Sequence, residues 1–273
     1  MPTILKLTSR SITLETCIYL EKPAPQAFQD YVPLWCNPPA MQDILESPLY
    51  YPYKEFARIP LSKKCSLRTL AVLYDMRTLT NLFLSHHRCQ EQKGEGQVEI
   101  SMAARYYTSG INEIRGRVKM LPSAYDRTRS DIAGDYIYES VRIAALMYLR
   151  ALTHCIPFSS ASTTYSGITH WSAMEAYLPA LLYEALYLTD ASECWDINLA
   201  GVYHWVVLVG AAASRQTSGS TCSQDIDYRL WVSRCLVMYC SRVRTMLKFT
   251  HPAPLIGALR TFGRIQEILG SST

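Results

Sequence analysis

Six histidines, nine cysteines and a scatter of carboxylates are the residues of this chain able to hold a metal or move a proton. Metal-binding pairs on a helix recur three or four positions apart, so that both side chains share a face. His86 and His87 are adjacent and point roughly 100° apart on a helix. His154, His170, His204 and His251 stand alone in the sequence. His170 and Glu175 are spaced too awkwardly for one helical face. Each histidine therefore reads as a core or surface residue, and no metal site is expected.

Nucleophilic chemistry finds no better footing. A serine elbow needs Gly-x-Ser-x-Gly, and Ser218-Gly219-Ser220 is only a linker pattern. Cys155 follows His154 directly, but neighbours in a helix diverge, so packing is the expected role of that thiol. Magnesium-dependent chemistry on diphosphates requires closely spaced carboxylates. The nearest features are Asp225-Ile226-Asp227 and Asp190 with Glu193, and Asp225 is better placed as a helix cap. There is no phosphate loop and no dinucleotide fingerprint. Trp171, Trp195, Trp205 and Trp231, with many tyrosines, suit either an aromatic core or a small-molecule pocket.

The bulk numbers agree with a self-sufficient core. The chain has 273 residues, of which 49% are hydrophobic and 18% charged. A chain of this length buries about 70–75% of its unfolded surface and needs no disulfide or metal to hold together. The cysteines, at 17, 36, 65, 89, 155, 194, 222, 235 and 240, form no Cys-x-x-Cys pair. They read as reduced thiols of an intracellular protein. The net charge of +4 is spread along the chain. The densest basic stretch, residues 234–248 with Arg242, Arg244 and Lys248, reads as a solvated helix face rather than a phosphate-binding surface. Lys6, Arg10 and Glu15 interrupt any signal-peptide core. The apolar run 199–213 holds His204 and falls short of the ~20 residues that span a bilayer. It reads as a buried helix, and neither secretion nor membrane anchoring is expected.

These side chains must be positioned by helices. Residues 1–62 are proline-rich, which disfavours helix. They are expected to run extended along the body, with short helices at most near 13–20 and 40–46. Residues 63–273 are expected to form a helical domain. Ser66 caps a first helix ending near 86–88, and a second runs over 101–119. Asp131 or Asp135 opens a third, with Ile137, Val141, Ala144, Ala145, Tyr148 and Leu152 inward and Glu139, Arg142 and Arg150 on the other side. A fourth covers 168–188, kinked or broken at Pro179. Asp196 opens the apolar helix 197–213, Asp225 caps the next, and Pro252 and Pro254 start the last. No strand-like alternation appears. The fold class is all-α, an irregular bundle or array of about six helices with a poorly regular N-terminal segment.

Four segments, in order, resemble the fungal-specific transcription factor domain, the regulatory region of zinc-cluster transcription factors. The first is Cys65-Ser-Leu-Arg-Thr-Leu-Ala-Val-Leu-Tyr-Asp75-Met-Arg77-Thr-Leu-Thr-Asn-Leu-Phe83. The second is Tyr138-Glu-Ser-Val-Arg-Ile-Ala-Ala-Leu-Met-Tyr148-Leu-Arg150, followed by Ile156-Pro-Phe-Ser-Ser160. The third is His204-Trp-Val-Val-Leu-Val-Gly-Ala-Ala-Ala213, and the fourth Trp231-Val-Ser-Arg234. Together they cover about residues 46–270. The resemblance implies a regulatory domain of fungal transcription, nuclear, serving for example secondary metabolism. It implies protein partners and leaves room for a small-molecule effector and for a homo-oligomer. The family's binuclear zinc cluster requires two Cys-x-x-Cys pairs, which this chain lacks, so direct nucleic-acid binding is not expected. The family carries no catalytic residues to this chain, and no catalytic, cofactor-binding or metal residue is assigned. The alternative is a helical biosynthetic enzyme with an aromatic-lined pocket. That reading requires several of His170, Glu175, Glu184, His204 and Asp225 to converge.

Overall fold

A computed structural model describes residues 2–23, 25, 44–91, 97–126, 128, 131–163, 177–191, 194–215 and 223–271. Among them are eight α-helices and no strand. The helices are α1 (Pro2–Leu20), α2 (Leu67–Glu91), α3 (Gln97–Lys119), α4 (Tyr136–His154), α5 (Leu178–Tyr187), α6 (Ala200–Ala213), α7 (Ser223–Thr250) and α8 (Pro252–Ser271). Short 3-10 turns stand at Ile59–Leu61 and Phe158–Ala161. The all-α array expected from the helical pitch of the apolar residues is the architecture found.

Two helices form the centre. α4 packs against α2, α3, α5 and α6, while α6 also meets α1, α5 and α7. The start of α4 is set by Asp135, whose carboxylate accepts a bond from the Tyr138 amide at 2.9 Å and satisfies a free first-turn donor. Its end is set by Cys155, at φ 49° and ψ 46°, a left-handed cap of the kind glycine more often supplies. Every residue of α6 from Gly201 to Ala213 is buried. Gly201 makes this possible, because a Cβ there would collide with the backbone carbonyl of Glu46. Tyr148 of α4 lies edge-on to Trp205 of α6 with ring centroids 5.7 Å apart. Phe158 then stacks on Phe262 of α8 at 4.7 Å. Aromatic pairs of this kind add roughly 0.5–1.5 kcal/mol beyond area burial.

Several local expectations change. Glu139 and Arg142 do not face outward. Both are buried, and they pair at 2.6 Å. The Glu139 carboxylate also accepts the Ser123 hydroxyl at 2.9 Å and the Ala124 amide at 2.8 Å. The pair thus ties the loop before α4 to the helix itself, and helical periodicity alone cannot anticipate a charge whose partner comes from a loop. The N-terminal segment is also more regular than expected. α1 extends from Pro2 to Leu20 and packs on α8, and its Leu14 and Ile18 join the same core as Phe56 and Ile59. Apart from Pro2 at its first position, the prolines begin only after this helix ends. Residues 44–46 are not helical; the rest of the helix expected near 40–46 lies outside the described residues. Pro179 sits in the first turn of α5, where its missing N–H costs nothing, and does not kink a longer helix. Residues 164–176 lie outside the described residues. Asp196 accepts from the amides of Asn198 and Leu199 at 2.9 and 3.1 Å, so it shapes the turn before α6. α7 begins at Ser223, which places Asp225 inside its first turn and not ahead of it.

Candidate functional site

A pocket of about 390 Å³ opens where the end of α5, the loop after it, and one face each of α6 and α7 meet. Trp195 and Tyr203 line it with ring centroids 5.0 Å apart and little exposure. The indole is held by its Nε1–H, which donates to Thr189 Oγ1 at 2.9 Å. Tyr187 and Tyr239 also line it, and Asp190 and Arg242 bring one charge of each sign. Burial pushes the Tyr203 phenol up to about 12, so it stays a neutral donor at physiological pH. The site offers flat apolar walls, a hydroxyl donor, a carboxylate and an exposed guanidinium. That combination suits a small aromatic molecule carrying polar groups.

Of the four tryptophans considered in the sequence, Trp195 alone lines this pocket among the described residues. Trp205 is wholly buried in the core, Trp231 is 47% exposed, and Trp171 lies outside the described residues. The basic stretch 234–248 is not a uniformly solvated face. Arg242 borders the pocket, while the guanidinium of Arg244 turns inward and is only 11% exposed.

Arg244 leads to a second constellation. Its Nε pairs with Glu15 of α1 at 2.6 Å. The other oxygen of that carboxylate, Oε1, lies 3.1 Å from Cys240 Sγ of α7. His204 of α6 completes the group, with one ligand atom from each of Glu15, His204 and Cys240 within 4.8 Å of one another. All three side chains are buried. Burial pushes the Glu15 carboxyl up, and the Arg244 charge offsets this only in part. Burial, with the Arg244 charge second, pushes the His204 imidazole down to about 4. Burial and the neighbouring carboxylate push the Cys240 thiol well up. The imidazole is therefore neutral and the thiol protonated. A protonated, enclosed thiol is a poor nucleophile, but sulfur, nitrogen and oxygen donors from three helices form a recognisable ligand set.

Sequence reasoning left His204 isolated and assigned no metal residue; the fold brings it to Glu15 and Cys240. The three come from distant helices, so no short-range spacing marks them. Two weak signals were present: the lone polar side chain in the run 199–213, and the four-residue step from Cys240 to Arg244 that puts both on one face. The convergence required by the enzyme alternative is not seen where it can be followed. Glu184 is exposed on α5 while His204 is buried. His170, Glu175 and the side chain of Asp225 lie outside the described residues. No helix among the described residues is long and apolar enough to cross a membrane. No protein-family model, curated protein or solved structure matches this chain.

Proposed function

We propose that this chain is a transcription-regulator-type helical domain without a DNA-reading head, acting through protein contacts and responding to a small aromatic effector carrying polar groups. The observation that carries the reading is the pocket formed by Trp195, Tyr203, Tyr239 and Arg242. It is lined by three helices that pack on one another, so a ligand there bears on how α5, α6 and α7 sit together. The ordered resemblance of four segments to fungal regulatory domains supports the transcriptional role, a nuclear location and a place in controlling biosynthetic genes.

The pocket half of the reading is tested by Trp195 fluorescence and thermal shift with a panel of planar aromatic carboxylates and the matching amines. Members of the panel are expected to bind and raise Tm. Arg242→Ala is expected to weaken the carboxylates about tenfold or more, the loss of one charge-assisted contact. A panel that leaves both fluorescence and Tm unchanged sinks the assignment. The regulatory half is tested by deleting the gene and profiling transcripts. A coherent set of altered genes is the expected outcome, and an unchanged profile sinks it.

A further inference from the structure

We propose that Glu15, His204 and Cys240 form a binding site for a zinc-class divalent ion that staples the N-terminal helix to the centre of the fold. The donors are one thiol, one imidazole and one carboxylate, the mixed set that zinc and its neighbours in the first transition row accept. They lie within 4.8 Å of one another before any ion draws them in. A tetrahedral centre with bonds of about 2.0–2.3 Å places ligand atoms roughly 3.3–3.8 Å apart. The Cys240–Glu15 edge is already 3.1 Å. Modest rotation of the remaining side chains supplies the rest.

Two further observations point into the cluster. His204 is 1% exposed, and its Nε2 finds no hydrogen-bond partner among the described residues. The Tyr19 hydroxyl also reaches the cluster, close enough to interact with both Glu15 and Cys240. Buried polar atoms normally find partners, because leaving one unsatisfied costs about 1–3 kcal/mol. An ion bound through Nε2 would give that nitrogen a partner, and the Tyr19 hydroxyl could donate to the thiolate. Glu15 is also oriented as a ligand should be. Arg244 holds one carboxylate oxygen and leaves the other facing the thiol, the outer-shell support that ligating carboxylates commonly have. On binding, the Cys240 S–H bond breaks, the sulfur–metal bond forms and one proton leaves to solvent. Thiolate and carboxylate together balance the two charges of the ion, so the buried centre is neutral apart from the existing Arg244. Its place among α1, α6 and α7 makes it a structural tie.

The test uses the purified full chain, stripped with a chelator and checked for helicity by circular dichroism, with cobalt(II) as the probe and zinc(II) as competitor. One cobalt per chain is expected, with a thiolate-to-cobalt charge-transfer band that zinc abolishes, one proton released, and a higher Tm. Cys240→Ser should lose the band while staying folded, and His204→Gln should weaken binding by at least about tenfold. A folded wild-type chain without the band, or a folded Cys240→Ser variant that keeps it, overturns the proposal. Should either variant fail to fold, X-ray absorption on the zinc-treated wild-type chain decides. One sulfur with nitrogen and oxygen neighbours supports the site. Retention of no zinc, or two or more sulfurs around it, overturns it.

Discussion

The Glu15 carboxylate of α1 and the Arg244 guanidinium of α7 meet at 2.6 Å, 3% and 11% exposed. Removing one partner leaves the other charge buried and unpaired, whereas removing both leaves an apolar contact. Arg244→Met alone is expected to destabilise the chain by about 3 kcal/mol in denaturant unfolding. The double variant Glu15→Leu with Arg244→Met is expected to lose less than either single change. A double variant whose loss equals the sum of the singles would show that the two side chains are not energetically coupled.

Two glycines separate packing from helix propensity. A Cβ on Gly201 would run into the Glu46 backbone, and backbone cannot swing aside as a side chain can. Gly201→Ala is expected to destabilise by about 1–3 kcal/mol despite alanine's better helix propensity. Gly116 of α3 has nothing within 4 Å of its Cβ position. Gly116→Ala is expected to stabilise by about 0.5–1 kcal/mol. Thermal unfolding of both variants checks the pair, and the opposite ordering of their Tm values would contradict the packing of α6 against Glu46.

Acid should destabilise the chain through His204. In the folded state burial and Arg244 hold its pKa at about 4, against 6.5 for the free side chain. Between those values the unfolded chain binds a proton that the native one refuses, so stability rises with pH across that window. The stability this histidine contributes is complete above about pH 6.5 and is lost as pH falls toward 4, up to about 3 kcal/mol. Glu15 acts in the opposite sense, since its carboxyl is raised and takes up its proton first in the native state. Comparing the wild-type chain with His204→Gln, both in chelator, isolates the imidazole. The variant's stability should vary less with pH over 4–6.5, and identical profiles would contradict the burial of His204.

Thiol reactivity should divide by position. Cys89 is exposed near the end of α2, while Cys240 is buried and its thiol is pushed well up by that burial. A thiol-specific reagent is expected to label Cys89 quickly and Cys240 only after unfolding. Peptide mapping by mass spectrometry reads this directly. Early modification of Cys240 would mean that the contacts of α1 with α6 and α7 open readily.

The helical architecture was legible because apolar residues recur at the helix pitch in α2, α4 and α8, and because Asp135 caps as its type suggests. The start of α1 was not. Its charged residues break the apolar pattern, and Glu15 looks like an interruption until Arg244 arrives from the far end of the chain. Glu139 and Arg142 misled for the same reason, since periodicity counts a charge as outward and cannot see a buried partner. The pocket was half legible. The aromatic residues announced either core or cavity, and only tertiary packing sent Trp205 to one and Trp195 to the other.

α6 is enclosed along its length from Gly201 to Ala213. Water reaches the amides of Val206 to Val209 only when the surrounding helices separate together. Their deuterium uptake should therefore be the slowest in the chain and should track the free energy of complete unfolding. The outward face of α3, by contrast, exchanges through local fraying. The central helix thus serves as a built-in gauge of whether a ligand, an ion or a substitution has tightened the whole molecule or only one corner of it.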